Sequence, residues 1–113
     1  MRVVPTYVAQ PDTAKRRLFP GAYSDPIFDE HNTAVAAFSA MLNVFFSEDY
    51  PEPGVHDDHE GFFVVGGRGR MMLDGVEYEL APGSAMVAPA GVRHAIRKVG
   101  DEDLRVFIYH FPK

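Results

Sequence analysis

Beyond residue 58, apolar and polar positions change over in short runs, each closed by glycine or proline. Phe62-Phe63-Val64-Val65 is an aromatic and β-branched run that ends in Gly66-Gly67-Arg68-Gly69, the pattern of a strand leaving for a turn. Arg70–Leu80 reads as a hairpin, because Asp74-Gly75 suits a two-residue turn with positive φ at both centres. Pro82-Gly83 leads into a strand over Ser84–Ala88, Pro89-Ala90-Gly91 into one over Arg93–Val99, and Gly100–Asp103 into one over Leu104–Phe111. Short strands at close spacing with Gly/Pro punctuation predict an all-β barrel or sandwich.

The first half is less regular. Residues 33–46 (TAVAAFSAMLNVFF) carry alanines that favour helix, while Phe38, Ala40, Leu42, Val44 and Phe46 alternate like one face of a strand. Periodicity leaves both open. Residues 1–33 hold Pro5, Pro11, Pro20, Gly21 and Pro26 without a strong period, which predicts an extended N-terminal arm with one or two short strands. No repeat or linker interrupts the chain. The expected organisation is a single domain over 1–113, with an arm to about residue 33 and a barrel over about 34–111.

Composition narrows the chemistry. At 113 residues the chain is one domain of ordinary size, large enough for one core. The absence of cysteine excludes disulfides, thiolate nucleophiles and Cys-rich zinc sites. A net charge of −5 argues against nucleic acid as a partner, and the one basic run, Lys15-Arg16-Arg17, reads as a solvated strand or loop. No apolar run reaches the ~18 residues of a membrane span, and MRVVPTYVAQPD lacks the features of a signal peptide, so the expectation is a cytoplasmic protein without membrane contact.

Any metal chemistry must then use histidine and carboxylate. His56, Asp58 and Glu60 share strand parity and are aimed to one side of an extended segment, whereas His59 has the opposite parity and points away. Neutral imidazoles and a carboxylate on one point form a divalent-metal shell, although an acidic surface turn has the same letters. His94 opens an apolar strand after Pro89 and Gly91, a position more often held by a polar rim residue than by a ligand. Other motifs fail. Gly67-x-Gly69 meets Met72 where a dinucleotide fingerprint needs a third glycine, His59-Glu60 is not followed by a histidine at HExxH spacing, and no G-x-S-x-G elbow is present. Met71-Met72 reads as core filler rather than a copper site.

Together the two stretches resemble the cupin superfamily, whose motifs run roughly G-x5-H-x-H-x3,4-E-x6-G and G-x5-P-x-G-x2-H-x3-N. His56, Glu60 and Gly67 match the first, and Gly83, Pro89, Gly91 and His94 the second; Gly54 replaces the first histidine and Lys98 the asparagine. The resemblance implies a double-stranded β-helix, or jelly-roll barrel. It implies a divalent metal (Mn, Fe, Ni or Zn) held by His56, Glu60 and His94, a set that resembles a two-histidine, one-carboxylate facial triad. Asp58 and His110 are candidates for a further ligand, and Arg93 for an anionic ligand at the barrel mouth. The implied function is binding or converting a small organic or sugar-like molecule by dioxygenase, isomerase or lyase chemistry, with no residue singled out as catalytic. A non-catalytic sensor with a reduced or vestigial metal site is the alternative. Small cupins also pair as homodimers by adding N-terminal strands to the partner's sheet, which implies the same here.

Overall fold

The turns set the strand boundaries in the computed structural model, which describes residues 6–113; the first five positions of the expected arm lie outside the described residues. Asp74 and Gly75 have φ of 50° and 79°, the left-handed pair a two-residue hairpin requires. They join β5 (Gly69–Leu73) to β6 (Val76–Leu80) with Leu73 facing Val76. The other strands are β1 (Arg17–Phe19), β2 (Ala22–Phe28), β3 (Ser39–Phe45), β4 (His59–Gly66), β7 (Ala85–Ala88), β8 (His94–Lys98) and β9 (Leu104–Phe111). A single 3₁₀ turn, Thr13–Lys15, precedes β1.

The strands form two antiparallel sheets, ordered β1-β2-β3-β9-β4-β7 and β6-β5-β8. Alternation decides what meets between them. Phe62 and Val64 of β4 and Leu104, Val106 and Ile108 of β9 turn inward to meet Met71, Leu80 and Ile96 of the smaller sheet. Each such side chain contributes about 1.5–3 kcal/mol through burial. This is the jelly-roll barrel that the strand spacing and the resemblance lead to.

The ambiguous segment resolves by tertiary pairing. Residues 33–38 are loop, with Ala37 at φ 56°, and β3 begins at Ser39, paired on both sides by β2 and β9. The alanine-rich half loses its helical option because the other half is needed as a central strand. Within the expected arm, β1 and β2 join the six-stranded sheet directly. Lys15, Arg16 and Arg17 are exposed, as the solvated reading of the run has it, but Arg16 is also paired: Nε and Nη2 donate to Asp25 Oδ1 and Oδ2 at 2.8 and 3.0 Å, and Asp25 is buried. This bidentate pair fastens the entry to β1 onto β2.

Gly67 and Gly75 both have positive φ, at 77° and 79°, but only Gly67 is enclosed. A Cβ at 67 would lie 2.3 Å from the Asp103 carbonyl oxygen and 2.9 Å from Leu104 Cα, whereas a Cβ at 75 would meet open space. Gly75→Ala should therefore cost about 1 kcal/mol, from the backbone alone. Gly67→Ala should cost about 3 kcal/mol or more, because overpacking against backbone adds to the same penalty. Urea unfolding of the two variants checks this; equal losses would mean the enclosure of Gly67 is unimportant.

Candidate metal centre

Glu60 faces the barrel interior because it shares parity with Phe62 and Val64, and its register partner across β9 is His110. It is 7% exposed. His94 reaches it from the opposite sheet, as the first residue of β8. Backbone pairing with Gly54 holds that position: Gly54 N–H donates to His94 O at 2.8 Å and His94 N–H to Gly54 O at 3.0 Å. His56 lies in the loop before β4, where its carbonyl accepts from Gly91 N–H at 2.8 Å. The loop that carries the first motif is thus stitched to the turn that carries the second.

Three donor atoms converge. Nε2 of His94 and Nε2 of His56 lie 3.0 and 3.2 Å from Glu60 Oε1. The ligand atoms of His56, Glu60 and His94 all lie within 4.8 Å of one another. Yet Glu60 Oε1 is buried without a hydrogen bond, short as these distances are. His94 shows why: its Nδ1 is 3.1 Å from the Val92 carbonyl, which can only accept. Nδ1 carries the proton there, so in the neutral ring Nε2 turns a lone pair toward the carboxylate. Burial pushes the His94 pKa down, but the Glu60 carboxylate and the Val92 carbonyl outweigh it, and the pKa is raised above the ordinary histidine value. Lone pairs facing one another across a small gap are what a divalent cation accommodates, and imidazole with carboxylate suits borderline metals. The residues fit such an ion.

His110 adds a second layer. Its Nε2 is 3.6 Å from Glu60 Oε2, and its Nδ1 lies 3.2 Å from Asp58 Oδ1, which orients the ring. The His56 ring sits between those of His94 and His110, at centroid distances of 5.2 and 5.3 Å. His110 therefore reaches the cluster through Glu60, and Asp58 reaches His110. Gly54 stands beside it: a Cβ there would lie 3.7 Å from His56 Nε2 and 3.8 Å from His94 Nε2. The position that lacks a histidine is thus one whose side chain would enter the site. Arg93 is exposed and borders neither cavity described below; only its carbonyl is engaged, by Asp74 N–H at 2.9 Å. His59 turns away, as its parity predicts, and its Nδ1 accepts from Ala90 N–H at 3.0 Å.

Two cavities meet the cluster. One, of about 640 Å³, runs along the inner face of the six-stranded sheet from Glu60, His56 and His110 past Arg17, Ser24 and Asn43 to Phe19 and Phe45. The other, of about 1070 Å³, lies between residues 33–39 and His56, Asp58 and His110. Asn43 and Ser24 escape a reading of the sequence, because neither belongs to a motif and Asn43 lies in the segment of ambiguous period. His110 carries a signal: it continues the inward parity of Leu104, Val106 and Ile108.

Residues 47–110 match the sequence model of the cupin domain family, Cupin_2. The chain is 31% identical over 99 residues to an uncharacterized protein of Streptomyces coelicolor, SCO3923, covering 88% of each. Among solved structures it is similar to the plu4264 protein of Photorhabdus luminescens, with a TM-score of 0.79 and 13% identity, over 96% of this chain and 89% of that one. It is also similar to salicylate 1,2-dioxygenase from Pseudoaminobacter salicylatoxidans, with a TM-score of 0.72 and 16% identity, over 89% of this chain and 26% of that one. The two structural likenesses are likenesses of fold.

The opposite roles of His59 and His56 are separable by stability. His59→Ala leaves the part-buried Ala90 N–H without its acceptor and should cost about 1–3 kcal/mol. His56→Ala, at a half-exposed side chain without a hydrogen bond to the fold, should change stability by less than about 0.5 kcal/mol in metal-free protein. Thermal unfolding in the presence of a chelator measures both, and a larger loss for His56→Ala would reverse the assignment.

Proposed function

This chain belongs to the cupin domain family, and from that premise we propose that it binds a divalent metal through His56, Glu60 and His94 and holds a small organic ligand beside it. The observation that carries the reading is Glu60 Oε1, a buried carboxylate oxygen without a hydrogen bond and faced by two imidazole nitrogens. Left alone, such an oxygen carries a desolvation cost that a cation removes. Asp58 orients His110 so that its Nε2 faces the second carboxylate oxygen, which makes His110 the residue placed to complete the donor set. The nitrogen and oxygen donors suit Mn, Fe, Ni or Zn. When bound, such an ion supplies Lewis-acid or oxygen-binding chemistry.

The elongated cavity gives the ligand its place: it is open to a molecule of metabolite size, and it ends on His56, Glu60 and His110. Dioxygenation is the reaction class to test first, since a dioxygenase shares the fold. Fold likeness leaves isomerase and lyase chemistry in the same reading. The sensor reading has ligand bound without turnover beside a reduced or vestigial metal site, and the glycine at 54 in place of a donor is what favours it.

Elemental analysis of protein purified without added metal should give about one equivalent of metal in the wild type and less than about a tenth in His94→Ala. A wild type as empty as the variant would end the metal reading. For metal-loaded protein, a ligand at 100 times its Kd should add ~2.7 kcal/mol of stability in a thermal-shift screen. Consumption of that ligand then assigns an enzyme, and binding without consumption assigns the sensor.

The homodimer belongs to the same reading. Among the described residues β1 is an open edge of the six-stranded sheet with Leu18 80% exposed, which leaves a backbone ladder for a second copy to extend. Sedimentation velocity should give twice the chain mass of 12.6 kDa. A monomer would remove the dimer and leave the metal site as argued.

A further inference from the structure

Along the elongated cavity, two inward rows from His110, three polar residues stand in one cross-strand row. Arg17 on β1 is the register partner of Ser24 on β2, and Ser24 is the partner of Asn43 on β3. All three line the same cavity as Glu60, His56 and His110. Continued onto β9 and β4, the row becomes Val106 and Val64, both fully buried. The sheet therefore places a guanidinium, a hydroxyl and an amide in a row that is hydrocarbon on β9 and β4.

Nothing in the fold requires them. Asn43 Oδ1 is buried without a hydrogen bond, although β3 is a central strand whose inward neighbours, Met41 and Phe45, are apolar. A packed core at this position would use an apolar residue, because an unpaired amide oxygen carries a desolvation cost that valine or leucine does not. Ser24 is 5% exposed. Among the described residues no carboxylate lies within ion-pair distance of Arg17; the buried aspartate nearby, Asp25, is taken by Arg16. Met41 stands between this row and the His–Glu cluster, and Phe19 and Phe45 line the cavity on the row's other side.

Each feature selects one property of an occupant. A guanidinium beside a hydroxyl and an amide N–H recognises a carboxylate. A buried amide oxygen requires a donor, which a ligand hydroxyl supplies. Apolar walls on both sides of the row suit a hydrocarbon or aromatic body. We infer that Arg17, Ser24 and Asn43 form the specificity subsite of the cavity, and that the ligand held beside the metal is a hydroxylated organic acid with an apolar body. The inference rests on the metal reading for what happens at the other end of the cavity. The subsite itself is defined by its own three residues, none of which belongs to the His–Glu cluster.

The test uses 3-hydroxybenzoate, whose meta groups are too far apart to chelate one metal ion. Benzoate lacks its hydroxyl, and 3-hydroxybenzyl alcohol its carboxylate. Each is titrated into zinc-loaded full-length protein by calorimetry, and the Asn43 side-chain amide is followed in ¹H–¹⁵N spectra. Binding of 3-hydroxybenzoate should be at least about tenfold tighter than that of either control, with the Asn43 amide signals shifting. Arg17→Gln and Asn43→Leu should each weaken it at least about tenfold, with zinc content unchanged. Arg17 sits on an exposed edge strand, so its variant serves even if Asn43→Leu fails to fold. Equal binding of the three probes, as water-filled space would give, overturns the subsite, and so does 3-hydroxybenzoate binding that Arg17→Gln leaves intact. Zinc content, measured on the same samples, judges the metal reading separately: a protein that takes up no zinc fails there, whatever the probes report.

Discussion

A carboxylate with one oxygen shut away from water organises one end of this barrel. Glu60 is carried inward by the same alternation that buries Phe62 and Val64, and a one-residue slip of β4 would expose all three together. The register that builds the core therefore also buries the charge. Its surroundings follow from that: His94 from the opposite sheet, His110 from the neighbouring strand, His56 from the loop above. Three imidazoles on one carboxylate make a polar pocket at the rim of an otherwise apolar interior.

The scaffold holds this cluster with backbone rather than with long side chains. Gly54 and His94 exchange two backbone hydrogen bonds, Gly91 N–H reaches His56 O, and Ala90 N–H reaches His59 Nδ1. Four bonds thus tie the loop before β4 to the turn before β8. Ligands on short, tied segments keep their geometry when a bound ion or molecule leaves, which is the condition for a preorganised site. His94 is further fixed by its Nδ1 contact with Val92 O, which settles the tautomer and with it the direction of Nε2.

The interior is polar at two places and hydrocarbon between them. One place is the His–Glu cluster; the other is the row of Arg17, Ser24 and Asn43. Both contain a buried oxygen without a hydrogen bond, Glu60 Oε1 in the first and Asn43 Oδ1 in the second. Native interiors hold few such atoms, so their coincidence on one cavity wall marks that wall as built for an occupant. The fold is common to proteins of different activities, and the difference lies in which side chains line this space.

Much of the architecture was legible in local chemistry. Asp74-Gly75, Pro82-Gly83 and Pro89-Ala-Gly91 dictate turns through their backbone preferences, and the strands between them follow. His56, Glu60 and His94 were legible as a set through motif spacing, and His59 as an outsider through parity. The segment 33–46 was not legible, since its period allows helix and strand alike; pairing with β2 and β9 decided it. Nor could the chain by itself bring Asp58 to His110, leave Arg93 outside the cavities, or set Arg17, Ser24 and Asn43 in one row. Sequence determines which residues turn, alternate and face inward, because those properties are local. Which inward residues from distant strands share a cavity depends on sheet order and register, and only the closed barrel specifies those.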